Sequence, residues 1–191
     1  RATKEEVDAM YRDQAFGTQT DRIIPDSDIS WLDNNSFMQY RQFIQRNNPS
    51  HSYNRLSDRE FLTRLRVLID EKIGYSGLLF LGQNDKIQSV ITDFRIDYFE
   101  IPGTAYSDAT TRYTFRLGEY ENIWQYYFAL FDRLSRQIDL PFNLQNDGTS
   151  SSNYPYLEAI REALVNLLQH TEYFSRMKLR IRVFQDRIEF F

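Results

Sequence analysis

The chain has 191 residues, of which 41% are hydrophobic and 16% aromatic, and it carries a formal net charge of −4. That is enough apolar surface for one large packed domain or two small ones, while the acidic balance argues against this stretch gripping nucleic acid electrostatically by itself. Zero cysteines exclude disulfides, thiol nucleophiles and thiolate metal sites together and suit a reducing cytoplasm; no run approaches the ~18 apolar residues that span a bilayer.

In chain order, Thr3 and Glu6 form a capping box that opens a short helix to Arg12. Residues 13–32 are irregular, with Gly17, Pro25 and several aspartates. Asn35 to Arg46 reads as a second helix on the stripe Phe37, Tyr40 and Ile44, stopped by Asn47-Asn48-Pro49. A second capping box, Ser57-Asp58-Arg59-Glu60, opens a third helix expected to run to about Glu71 and to bury Phe61, Leu65, Leu68 and Ile69. Residues 1–72 are therefore expected to be a mainly helical connector region.

The pattern then changes. Gly77 to Leu81 is a continuous apolar run suited to a strand buried on both faces. Ile87 to Ile101 reads as a strand pair or one bent strand, with Phe94, Ile96 and Tyr98 alternating against Asp93, Arg95 and Asp97. Arg112 to Leu117 is a further short strand, and Glu119 to Ile138 a long helix on the stripe Ile123, Tyr127, Leu130, Leu134 and Ile138. Trp124, Tyr126 and Phe128 fall on its less regular side and serve either as exposed aromatics or as core under a sheet. Residues 145–153 are loop-like, and Pro155 opens the next helix at a first-turn position, where its missing N–H costs little. Met177 to Phe191 resembles a hairpin turning at Gln185-Asp186, with Leu179, Ile181 and Val183 on one side. Lys178, Arg180 and Arg182 on the other read first as a solvated row and second as a phosphate-binding one. The expected fold is α+β: N-terminal helices, then over residues 73–191 a mixed sheet packed against two or more helices.

The helix opened by Pro155 carries the chemistry. Asn166 and His170 follow Glu162 at roughly 40° and 80° round a wheel of 100° per residue. Leu157, Ile160, Leu164, Leu167 and Leu168 gather on the opposite side. Spacing alone makes this stripe a solvated face. His51 is the other of the two histidines, and the pair matches no zinc spacing.

Three segments add to that reading. Tyr154-Pro155, the run Ala159-Ile160-Arg161-Glu162-Ala163-Leu164-Val165-Asn166 and His170 through Tyr173 resemble a recurrent bacterial and archaeal signature. Ser76 to Gly82 and the closing Asp186-Arg187-Ile188-Glu189-Phe190 fit the same pattern in order. The signature is that of transcriptional regulators with an N-terminal Schlafen-type AlbA domain and a divergent, RecG-like ATPase domain, and the resemblance covers about residues 55–191. It implies that the helix is similar to the first nucleotide-binding box of the gyrase and histidine-kinase ATPase fold. There Glu162 would orient or deprotonate the attacking water, Asn166 would help to hold Mg²⁺ beside the phosphates, and His170 would fit the family's histidine in the nucleotide site. ATP and Mg²⁺ are the implied cofactors of the full-length protein, DNA the partner of a domain outside this chain, and homo-oligomerisation is compatible with it. The chain opens on Arg1 and stops after a strand-like run, which reads as an internal stretch with an incomplete ATPase-like portion; the glycine-bearing boxes would lie beyond Phe191, so this stretch alone is not expected to hydrolyse ATP. Thr171, Glu172 and Leu167 depart from the usual Arg, Asp and Ala, and Leu167 would narrow a pocket. The competing expectations are an active Mg-ATP hydrolase and a non-catalytic interaction or oligomerisation module.

Overall fold

A computed structural model of the chain describes residues 22–137, 155–175 and 178–191; the helix expected over Thr3–Arg12 and the loop at 145–153 lie outside the described residues. The fold is α+β, and the chain resolves into two compact units, Arg1–Ile87 and Gln88–Phe191.

In the first unit, Asp33 caps helix α1 (Asn34–Asn47) by accepting from the Ser36 amide at 2.8 Å. Phe37 is buried, and its ring meets that of Phe61 edge-on at 6.0 Å. The Ser57/Glu60 capping box forms and opens α2 (Asp58–Arg64). That helix ends about two turns before the expected stop. Arg66 adopts a left-handed backbone (φ 59°), the Val67 amide donates to the Leu62 carbonyl at 3.0 Å, and the Arg66 amide donates to the Thr63 carbonyl at 3.0 Å. This is a Schellman cap with arginine where glycine usually signals the stop.

The residues expected to continue that helix instead form a small hairpin, β1 (Leu68–Ile69) against β2 (Lys72–Ile73). Its two turn residues, Asp70 and Glu71, both have positive φ (48° and 65°), the primed-turn geometry that favours Asn-Gly or Asp-Gly. The apolar run from Gly77 is no strand either. It lies in α3 (Tyr75–Leu81), with Gly77, Leu78, Leu79 and Leu81 buried. A short apolar run buried all round has no periodicity to separate helix from strand, and tertiary packing decides. A Cβ on Gly77 would fall 2.7 Å from Val67 Cα, so the helix lies directly on the chain entering β1. Helix α4 (Asn84–Val90) likewise replaces the first half of the strand expected from Ile87.

The second unit is a four-stranded mixed sheet in the order β4-β3-β5-β6. Strand β3 (Ile96–Glu100) pairs antiparallel with β4 (Phe115–Arg116) and parallel with β5 (Leu179–Val183), which turns back into antiparallel β6 (Ile188–Phe190). The crossover between the parallel strands carries helices α5 (Ile123–Ser135) and α6 (Pro155–His170), which pack on one another. Side-chain alternation places Ile96, Tyr98, Leu179, Ile181 and Val183 on the buried face. On α5 the buried positions are Trp124, Tyr126, Leu130 and Leu134; Ile123 and Tyr127 are half-buried. Two of the three aromatics on the less regular side are thus core, and Phe128 alone of them stays exposed, at 41%.

Candidate functional site

Helix α6 forms where the sequence places it, with Pro155 first and His170 last. Its buried positions are Ile160, Leu164 and Leu168, one side of a 3.6-residue period. Thr171 and Tyr173 finish it: their hydroxyls donate to the Leu167 and Leu168 carbonyls at 2.5 and 2.7 Å, satisfying carbonyls of the last turn that have no intrahelical partner. Thr171, a departure from the expected arginine, thus contributes to the cap. Burial pushes the Tyr173 hydroxyl well above the ordinary tyrosine range, which keeps it a neutral donor.

Glu162, Asn166 and His170 all lie on the exposed side of α6. The Asn166 amide nitrogen faces a Glu162 carboxylate oxygen at 3.5 Å, the limit of a hydrogen bond. Asn166 and His170 line one end of a shallow cavity of about 290 Å³ that also takes in Leu167, Lys178 and Phe191; Glu162 stands outside it. The structure therefore brings two of the three residues to one concavity and leaves the carboxylate one turn away. Leu167 lines the same wall, at the position where the sequence pattern expects a smaller residue.

Chemically, the pair offers a carboxylate and, with the amide nitrogen turned to that carboxylate, a carbonyl oxygen. The carbonyl oxygen suits a magnesium ion that takes its remaining ligands from phosphates and water, and the carboxylate suits base work toward water. Among the described residues, no group of three or more His, Asp or Glu side chains is placed to hold a metal by itself.

A carboxylate held by several hydrogen bonds lies elsewhere in the second unit. Glu100 ends β3 on the buried face, and its side chain is 11% exposed. Arg133 of α5 clamps it with two parallel bonds, Nε to Oε1 at 2.5 Å and a terminal nitrogen to Oε2 at 2.7 Å. Gln137 and the Tyr98 hydroxyl also donate to Oε1, at 2.8 and 2.9 Å. The Arg133 guanidinium also lies 3.9 Å from the centre of the Phe115 ring. Burial, reinforced by the hydrogen bond to Glu100, pushes the Tyr98 hydroxyl far above its usual range, and the carboxylate raises Arg133. This network fastens α5 to the sheet. Its signal in the sequence is Glu100 itself, a charge in phase with Ile96 and Tyr98 on the core side of the strand.

Comparison with known proteins gives fold without function. A family model described as a domain of unknown function (DUF8451) matches residues 8–97, a little under half of the chain. No curated protein matches. The crystal structure of the DIP2311 protein from Corynebacterium diphtheriae is similar over 97% of this chain, with a TM-score of 0.65 at 14% identity. This chain spans 35% of that protein's length, and at such identity the likeness is one of fold.

Proposed function

We propose that the chain is part of a DNA-associated transcriptional regulator of the cytoplasm and contains the opening elements of an ATPase-like nucleotide-binding domain. The observation that supports this reading is the two-sided build of α6. Packing accounts for Ile160, Leu164 and Leu168, whereas Glu162 and Asn166 stand adjacent on the open side, and Asn166 and His170 border a cavity beside β5. In this reading Glu162 acts as base toward water, and Asn166 presents its carbonyl oxygen to the magnesium ion that accompanies the nucleotide. Bound Mg-ATP would supply the polyphosphate and the metal charge; this chain's own residues would orient the water and hold the ion. Leu167 on the cavity wall narrows the space beside Asn166 and His170. No described helix is long and apolar enough to cross a membrane, in keeping with such a role.

The test is titration of the full-length protein with Mg-ATP, repeated with Glu162→Ala and Asn166→Ala. Binding weakened at least tenfold by Asn166→Ala, with any hydrolysis abolished by Glu162→Ala, is the expected result. No binding by the wild type, or binding indifferent to both substitutions, overturns the nucleotide reading. Failure to bind DNA at low salt overturns the regulator reading, since phosphate contacts are strongest there.

A further inference from the structure

A second cavity of this unit lies beside the one that Asn166 and His170 border, and shares Thr171, Ser175, Lys178 and Leu179 with it. It measures about 510 Å³, within the size range of small-molecule sites. It lies between the segment entering β3, Val90–Arg95, and residues between α6 and β5, from Thr171 to Ser175 together with Lys178 and Leu179. Because β3 and β5 are parallel neighbours, both segments arrive at the same end of the sheet.

Its lining combines rings with cations. Phe94, Tyr173 and Phe174 supply aromatic surface, and Arg95 and Lys178 supply positive charge. Asp93 is the sole acidic residue of the lining; it sits in a left-handed backbone conformation (φ 64°) and reaches Lys178 at 3.3 Å. With its side chain 67% exposed, that pairing is weak and readily exchanged. Arg95 differs. Its side chain is 35% exposed and pairs with Asp97 at 3.6 Å, yet its Nε is buried and makes no hydrogen bond among the described residues. A buried donor without an acceptor is costly. A ligand oxygen would satisfy that donor, and an anionic one on a flat apolar body would suit both the cations and the rings.

We infer that this cavity is a binding site for a small aromatic anion, whose carboxylate or phosphate head pairs with Arg95 and Lys178 while its ring lies against Phe94 and Tyr173. A planar guanidinium matches either head group. The inference does not use Glu162, Asn166 or His170, none of which lines this cavity, although Thr171, Ser175, Lys178 and Leu179 border both.

Benzoate, phenyl phosphate and uncharged benzyl alcohol are the probes, titrated into the full chain and followed by amide chemical shifts. At least one of the two anions is expected to bind at millimolar concentration or tighter, moving the amides of residues 91–95, and the stronger of the two identifies the head group. Benzyl alcohol is expected to bind at least about tenfold more weakly, in line with loss of charge-assisted bonds. Arg95→Gln is expected to weaken the anion about tenfold or more, with Arg95→Lys in between. Arg136→Gln, which removes an exposed cation from the end of α5, leaves it unchanged. Unperturbed spectra with both anions at about 10 mM, equal binding of benzyl alcohol, or an Arg95→Gln affinity equal to wild type each overturns the proposal. Shifts confined to Asn166 and His170 also overturn it and point back to the α6 cavity.

Discussion

Replacing Arg133 with leucine tests whether the Glu100 network holds α5 on the sheet. The substitution keeps a side chain beside Phe115 but removes both donors of the bidentate pair. Stripping one partner from a fully buried pair typically costs about 3–5 kcal/mol, because the other charge stays buried and unpaired. Two features reduce that figure here. The Arg133 side chain is 31% exposed, so water can reach part of the vacated space. Tyr98 and Gln137 also continue to donate to the carboxylate. Loss of the cation–π contact with Phe115 adds a fraction of a kcal/mol to about 2 kcal/mol. The expected cost is about 3 kcal/mol. Glu100→Leu with Arg133→Leu removes the buried charge together with its partner, and the double variant should recover most of the loss, giving a coupling of about 2 kcal/mol. The chain has two tryptophans, so urea unfolding followed by fluorescence in a Trp31→Phe background reports on the second unit through buried Trp124. A single-variant cost below about 0.5 kcal/mol, or costs that simply add in the double variant, would refute the reasoning.

Two further outcomes follow from the packing and the titrations. Gly77→Ala raises helix propensity by about 1 kcal/mol, yet its Cβ would meet Val67 backbone at 2.7 Å; a net loss of about 2 kcal/mol is expected on urea denaturation, and a more stable variant would mean that α3 does not lie against Val67. Burial holds Tyr98, Tyr126 and Tyr173 protonated above the ordinary range. Unfolded tyrosines ionise near pH 10, so this stabilisation is complete below about pH 10 and is lost above it, where the unfolded chain alone releases protons. Midpoints at about pH 9, 10 and 11 should fall over the last interval, and Tyr173→Phe should remove up to about 1.4 kcal/mol per pH unit of that slope; a slope unchanged by the substitution contradicts the assignment.

Where local chemistry and tertiary packing agree, the elements were legible. Ser57 and Glu60 close their box, Pro155 opens α6, and the alternation through Leu179, Ile181 and Val183 is a strand. Where the sequence lacks the usual marker, the reading failed. The stop at Arg64 is made by a left-handed arginine and the β1–β2 turn by Asp-Glu, so neither glycine nor asparagine announced them. The segment from Gly77 to Leu81 failed for a different reason: buried on all sides, it carries no period that a local pattern can detect.

Glu162 and Glu100, two carboxylates of the second unit, show why a site is harder to read than a fold. Glu162 drew attention through its spacing with Asn166, and it stands in solvent, where its removal leaves no buried group unsatisfied. Glu100 drew none, and it is held by three side chains on the buried face of the sheet. Physical chemistry constrains the second carboxylate through stability and the first only through function. Glu100 is therefore a fastening, while a catalytic role for Glu162 rests on what approaches α6 from outside. Substitution distinguishes the two: a change at Glu162 should alter ligand response at constant unfolding midpoint, and a change at Arg133 should move the midpoint first.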